Sequence, residues 1–286
     1  MRGKIYKGIG GFYYVMTPDA GVVECRARGR FRKEHIIPMI GDDVEIEVKN
    51  GKGYVSEIYP RRSKLIRPAV ANIDMVVVVA AAKSPDPNTA VIDKMLVNAE
   101  INNIEPIVCI NKTDLADAKS LTELYTAVGY KTVAVSANSR DGITALLELI
   151  TGKTAAFAGV SGVGKSSLLT LITGHGLETG EVSDKISRGR HTTRHVELFA
   201  VPGGGFVLDT PGFSSIEPEE ITAAELAGCF PEMREFRNGC RFRGCAHIGE
   251  PDCAVKAAVA AGRIPRSRYE IYCELYEIQR SRYEWK

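Results

Sequence analysis

Through the first 68 residues polar and apolar positions alternate in short stretches, at 4–14, 22–27, 43–48 and 53–58, separated by the turn-forming groups Pro18-Asp19-Ala20-Gly21, Gly41-Asp42 and Asn50-Gly51. Period-two alternation over so few residues predicts short half-buried strands, and about five of them in this length make a small β-barrel. An OB-type barrel and an SH3-like barrel both satisfy the pattern. Arg26, Arg28, Arg30, Arg32 and Lys33 near its middle suit an OB-type barrel with a basic loop.

From Ile73 onward β-branched runs alternate with helical periodicity. Strands are predicted at 76–79, 107–110, 132–135, 155–158, 195–201 and 206–208, and helices at 89–102, 121–128, 143–150 and 165–173. Such alternation implies an α/β domain whose mostly parallel sheet is covered on both faces, with ligands at the carboxyl ends of the strands. Residues 217–286 read as helical, interrupted at 237–253 by a cysteine-bearing loop too poor in large apolar side chains to fold unaided. The expected domains are therefore a barrel at 1–68, an α/β domain at 69–216 and a helical domain at 217–286.

Composition changes this picture only at the edges. Of 286 residues 44% are hydrophobic and 25% charged, which supports real cores. The net charge of +2 hides a gradient, because residues 1–68 carry 14 basic against 8 acidic side chains. The longest apolar run, 75–82, is far short of the roughly 20 residues that cross a bilayer, and the first residues lack a signal-type apolar core. A cytoplasmic protein without membrane association is expected. Seven cysteines in such a chain are expected to be thiols, and the clustered ones to hold a metal.

The chemistry sits where the strands end. Gly159-Val160-Ser161-Gly162-Val163-Gly164-Lys165-Ser166 follows the strand at 155–158, opens a helix and satisfies GxxxxGK[ST]. Such glycines let backbone N–H groups turn around phosphate oxygens. Lys165 then reaches the β and γ phosphates, the Ser166 hydroxyl ligates Mg²⁺, and Ser167 continues the helix beside them. Asn111-Lys112-Thr113-Asp114 follows the strand ending at Ile110. A carboxylate at Asp114 accepts from guanine N1–H and the exocyclic amine, whereas adenine presents an acceptor there and leaves it unpaired. The Lys112 stem covers the base, and Ser136-Ala137-Asn138 supplies a further loop toward the guanine oxygen.

Asp209-Thr210-Pro211-Gly212 has the DxxG spacing, with Asp209 toward Mg²⁺ and the Gly212 N–H toward the γ phosphate. Upstream, the polar stretch 174–194 ends in Gly189-Arg190-His191-Thr192-Thr193-Arg194. A threonine there, Thr193 or Thr192, is a candidate Mg²⁺ ligand once the γ phosphate orders the segment. In regulatory GTPases the phosphate loop comes first and the base-reading loops last. Here the order runs NKTD, SAN, GVSGVGKS, TT, DTPG, so the domain is circularly permuted. Permutation keeps every loop on its own strand end and leads the DTPG switch directly into the C-terminal segment.

With that order, the GRHTT stretch, DTPGF and the cysteine cluster, the chain resembles the RsgA (YjeQ) family over essentially its full length. The resemblance implies an OB barrel, a permuted GTPase domain and a zinc-bearing helical domain that together engage the small ribosomal subunit, and hence rRNA, during late maturation. GTP is then hydrolysed to GDP and phosphate. The position where many GTPases carry a water-orienting glutamine is Phe213, so slow unaided hydrolysis is expected. His191 is the candidate catalytic residue for positioning water, alongside Lys165 and Thr193.

Cys240, Cys245, His247 and Cys253 read C-x₄-C-x-H-x₅-C, a donor set that suits one closed structural Zn²⁺ site. Around it, residues 237–268 carry Arg237, Arg241, Arg243, Lys256, Arg263, Arg266 and Arg268 against Glu250 and Asp252. This basic loop, and the barrel arginines with Tyr13, Tyr14 and Phe31 for stacking, are candidate RNA contacts. The chain is expected to act as a monomer. The alternative reading is an RNA-binding module controlled by guanine nucleotide, with turnover incidental.

Overall fold

A computed structural model describes residues 1–65, 69–174, 196–210 and 221–284. Within them the chain forms two compact units, one drawn from 1–75, 147–157 and 165–211, the other from 76–146, 158–164 and 212–286.

The first unit opens with β1 (Arg2–Ile9), β2 (Phe12–Thr17), β3 (Gly21–Ala27), α1 (Gly29–Lys33), β4 (Asp43–Lys49) and β5 (Lys52–Ile58). These strands close in the order β1-β2-β3-β5-β4, with β3 parallel to β5 and β1 antiparallel to β4. That order is the OB arrangement and decides against the SH3-like one. The expected stretch at 4–14 is two strands, because Gly10 and Gly11, at φ 58° and 84°, turn the chain into a hairpin.

Alternation fills the barrel with Ile5, Val15, Cys25, Phe31, Val44, Ile46 and Val55, and Tyr13 packs against them. Phe31 therefore belongs to the interior and cannot serve as a stacking surface, while Tyr13 is half-buried against that core. The outward row is instead Phe12, Arg26 and Tyr54, paired across β2, β3 and β5, with the Arg26 guanidinium 4.5 Å from the Phe12 ring centre. The basic stretch folds partly as α1, where Arg30 donates to the Ser56 carbonyl, while Arg28 pairs with Glu47 at 2.6 Å.

Asp42 is fully buried below the barrel and accepts from Arg61 at 2.7 and 2.8 Å and from the Met39 N–H at 2.7 Å. Asp42→Ala leaves Arg61 with only the Ile37 carbonyl and deprives the Met39 amide of its acceptor. It should cost about 2–3 kcal/mol in chemical denaturation; a change within about 0.5 kcal/mol would show the pair to be dispensable.

The first unit also holds a two-stranded ribbon, β6 (Lys64–Leu65) with β7 (Val70–Ala71). It continues with β11 (Thr154–Ala158), α5 (Lys165–Thr173), β12 (Phe199–Ala200) and β13 (Phe206–Asp209). β11 and β13 run parallel, and β12 is antiparallel to β13. The strand expected at 195–201 is thus a two-residue edge piece that turns back through Gly203, Gly204 and Gly205. His195 lies outside the described residues.

In the second unit β8 (Met75–Ala81), β9 (Glu105–Asn111) and β10 (Lys131–Ala134) lie in the order β10-β9-β8, with β9 and β10 parallel. β8 is buried along its whole length, as a continuous apolar run requires. Helices α2 (Thr89–Ile101), α3 (Lys119–Ala127) and α4 (Ile143–Ile150) follow the expected periodicity. The C-terminal part contributes α6 (Ala223–Leu226), α7 (Pro231–Arg234), α8 (Ala254–Ala260) and α9 (Arg266–Glu284). Their core gathers Leu226, Phe230, Met233, Val255, Tyr272 and Leu275, together with Val97 of α2.

Candidate nucleotide and metal sites

The base-reading loop leaves the carboxyl end of β9 and is tied down by its own first residue. Asn111 is 1% exposed; its amide donates to the Val163 carbonyl at 2.8 Å, and its Oδ1 accepts from the Ala137 N–H at 3.1 Å. One side chain thus links the NKTD, SAN and phosphate loops. Gly164, at φ 92°, must lack a side chain, since a Cβ there would collide with the Asn111 amide.

Asp114 is exposed, as a group that meets a ligand must be, yet its carboxylate is held. Ser136 donates to Oδ1 at 2.6 Å and Asn138 donates to Oδ2 at 3.3 Å. The Ser136 hydroxyl, seconded by Asn138, keeps the Asp114 carboxyl below the usual carboxylate range, so it stays an acceptor. Ser136 is fixed in turn by accepting from the Ser139 N–H at 3.0 Å. The Thr113 N–H bonds the Val135 carbonyl at 3.2 Å, and Lys112 donates to the Ser84 carbonyl. Sequence reading gave Asn138 only a place in the loop; its grip on Asp114 depends on how β10 pairs with β9.

The phosphate loop, residues 159–164, leaves β11 and enters α5 as predicted. Ser161 and Gly162 are exposed, while Val163 is 2% exposed. Val160 and Val163 line a small apolar pocket together with Val79, Pro87, Val91 and Ile92. What these two residues can offer a phosphate is therefore backbone N–H. At the start of α5, Ser166 is half-buried and Ser167 exposed. Within the first unit, burial holds the Lys165 ammonium below the ordinary lysine value while the Asp209 carboxylate pulls it back up. Asp209 stands at the end of β13, and Thr210 anchors that end by bonding the Phe157 carbonyl through its N–H at 3.1 Å and its hydroxyl at 2.8 Å. A hydroxyl and a carboxylate are the hard oxygen donors that Mg²⁺ takes. Gly212, Phe213, His191, Thr192 and Thr193 lie outside the described residues.

The second cluster is complete among the described residues. Donor atoms of Cys240, Cys245, His247 and Cys253 lie within 4.8 Å of one another. Cys240 Sγ is 3.8 Å from Cys253 Sγ, and His247 Nδ1 is 3.4 Å from each of those two sulfurs. A tetrahedral ion about 2.3 Å from sulfur and about 2.0 Å from nitrogen needs S–S edges of about 3.8 Å and S–N edges of about 3.5 Å, so the donor set fits Zn²⁺.

Burial drives the Cys240 thiol up, but the N–H groups of Val255 and Ala254 at the start of α8 outweigh it and leave the thiol below its ordinary value. Burial keeps the His247 imidazole below its usual value, hence neutral and able to ligate. The loop is braced by Tyr269 and Tyr272, whose hydroxyls donate at 2.6 Å to the His247 and Ala246 carbonyls. Glu250 accepts from the Ala246 and Ile248 N–H groups at 2.5 and 3.1 Å.

The basic character around this cluster is partly internal. Arg268 is fully buried, bonded to Glu232 at 2.7 Å and paired with Asp93 at 3.0 Å, so it offers nothing to a phosphate. The sequence held a signal for this: Arg268, Tyr272, Leu275 and Gln279 form one helical stripe, and all four are buried. Arg237, Arg241, Arg243, Arg263 and Arg266 remain exposed.

Residues 2–55 match the profile of the RsgA N-terminal domain, and residues 58–219 match that of the RsgA GTPase. A protein of Caldanaerobacter subterraneus subsp. tengcongensis named small ribosomal subunit biogenesis GTPase RsgA is 48% identical, with 99% of each chain covered. One of the same name from Clostridium beijerinckii is 45% identical over the full length of both. Among solved structures, YloQ, described as a circularly permuted GTPase, superposes with a TM-score of 0.83 at 39% identity, covering 98% of this chain and 95% of its own. YjeQ from Thermotoga maritima gives 0.84 at 36%, covering 97% and 98%.

Proposed function

The chain belongs to the RsgA GTPase family, and from that premise we propose that it hydrolyses GTP to GDP and phosphate in a cycle timed by the small ribosomal subunit during late maturation. One observation carries the reading: a carboxylate fixed by Ser136 and Asn138 stands on a loop that Asn111 ties to the phosphate loop. Guanine donates two hydrogen bonds to such a carboxylate, and adenine cannot.

Backbone N–H groups of the loop 159–164 surround the phosphates, and Lys165 adds its charge where the β and γ groups separate. Ser166, Asp209 and Thr193 would hold Mg²⁺, which neutralises charge between those groups when bound. His191 is the proposed water-positioning residue, since Phe213 has no polar atom for that task. Cys240, Cys245, His247 and Cys253 are proposed to hold one structural Zn²⁺. The division into barrel, GTPase domain and zinc-bearing helical domain at 1–68, 69–216 and 217–286 is proposed to be the functional one. The exposed arginines of the metal loop and the Phe12, Arg26 and Tyr54 row of the barrel are the proposed rRNA contacts. None of the described helices is long and apolar enough to cross a membrane. A cytoplasmic monomer is the working form proposed.

Turnover of GTP with and without purified small subunits tests this. Strong stimulation is expected, and Asp114→Ala should lose guanine preference by on the order of a hundredfold or more while retaining phosphate contacts. Equal binding of ATP and GTP by the natural chain would refute the assignment. Salt-sensitive RNA binding with unchanged turnover would favour a nucleotide-controlled RNA-binding module.

A further inference from the structure

Helix α2 has two differently occupied faces. Val91, Ile92 and Met95 line the apolar pocket whose opposite wall is Val160 and Val163 of the phosphate loop. Val97 is buried in the core of the C-terminal helices, and Ala90 and Ile101 pack against that core. Charges reinforce the second face: Asp93 pairs with Arg268, Lys94 with Glu274 at 2.7 Å, and Glu100 with Arg234. Only Arg268 is sealed from water, at 0% exposure opposite Asp93 at 1%. Its guanidinium also bonds Glu232 and lies 4.9 Å from the Phe230 ring centre and 5.5 Å from that of Tyr130. The same Asp93 oxygen, Oδ1, accepts from the Tyr125 hydroxyl at 3.1 Å.

The segment that leads into α2 is bonded to the base-reading loop and shares a pocket lining with the phosphate loop. Asn88 caps the helix by accepting from the Val91 N–H at 3.2 Å. Four residues earlier, the Ser84 carbonyl receives the Lys112 ammonium of the base-reading loop. A methyl placed on Gly162 of the phosphate loop would rest 3.7 Å from the Pro85 ring. Helix α2 is thus continuous with a segment bonded to the base-reading loop and beside the phosphate loop, and Arg268 of α9 is paired with Asp93 of α2.

We infer that Arg268 is a positioning residue for guanine nucleotide, acting through Asp93, α2 and the segment at 84–88, so that nucleotide affinity and docking of the C-terminal helix on α2 are reciprocally linked. The inference rests on the nucleotide site proposed above. A long cation buried between two carboxylates holds one geometry only while both helices stay in place, and reciprocity follows from thermodynamic linkage.

The test is GDP affinity of the full zinc-loaded chain carrying Arg268→Gln or Arg268→Lys, with Val15→Ala in the barrel core as a comparably destabilised control. Arg268→Gln is expected to weaken GDP binding on the order of tenfold with bound zinc unchanged, Arg268→Lys to restore part of it, and the control to bind normally. Unchanged affinity in a folded Arg268→Gln protein overturns the inference. Should that variant not fold, hydrogen exchange of the natural chain decides. Slower exchange in α2 and the first turns of α9 on adding GDP supports the linkage, and protection confined to the nucleotide loops overturns it. Failure of the natural chain to bind GDP would instead sink the nucleotide site itself.

Discussion

Removing the metal proposed for Cys240, Cys245, His247 and Cys253, by stringent chelation or by Cys253→Ala, is expected to unfold the loop at 237–253 together with α8. That loop contains few large apolar side chains, and His247 itself sits at φ 59°, an unfavourable conformation that a bond to metal would maintain. Three thiols and an imidazole packed this closely without an ion have only weak mutual hydrogen bonds to offset their burial. Structural zinc in isolated fingers supplies about 10–16 kcal/mol of apparent folding energy. The effect here should be several kcal/mol and centred on the loop, because Leu226, Phe230, Met233 and Leu275 keep an apolar core, although Cys253 is buried in it and Cys240 and Cys245 pack against it. The expected readout is rapid proteolytic cleavage within 237–253, a lowered first thermal transition, and recovery of both on adding zinc. Guanine nucleotide should still bind. Identical melting and protease resistance after complete metal removal would rule out a structural role.

Lys165→Ala is the second large expectation, with turnover falling about 10²–10³-fold. The helix start that carries Lys165 is already partly buried, so the cost of desolvating its charge is met on folding, before phosphate arrives. The depressed ammonium value is the sign of that readiness. A bound phosphate stabilises the charged form and raises it again. The complex therefore holds more protons than the free chain once pH exceeds the free-chain value, and affinity should decline as pH rises through that value, below the ordinary lysine range near ~10.4. Arginine should not rescue the variant, since a planar fork does not replace a point charge reaching between two phosphates. Turnover within about threefold of the natural chain would remove Lys165 from the chemistry.

The nucleotide motifs were legible because their function is contiguous. Eight residues from Gly159 to Ser166 dictate a backbone path whatever surrounds them, and the order of NKTD, SAN, GVSGVGKS and DTPG reveals the permutation without coordinates. The strand at 75–81 and the helices at 143–150 and 165–173 were equally plain, since their periodicity is internal to each segment. The metal ligands were legible for a similar reason, as four donors within fourteen residues leave few ways to fold. The barrel was less so. Its strand stretches were visible, but the hairpin at Gly10 and Gly11 was hidden in a run that alternates on both sides of the turn.

What the chain by itself determined, then, is the inventory of loops and the donor groups each can offer to a nucleotide or a metal. Tertiary structure decided which charged and aromatic side chains are available for anything else. Arg268 joined a basic run on paper and is an internal ion pair in the fold; Phe31 stood among barrel arginines and is core. The reason is physical: a side chain's identity fixes what it can bond, but its exposure depends on surfaces delivered by segments far away in sequence, here Asp93 and Glu232 to Arg268.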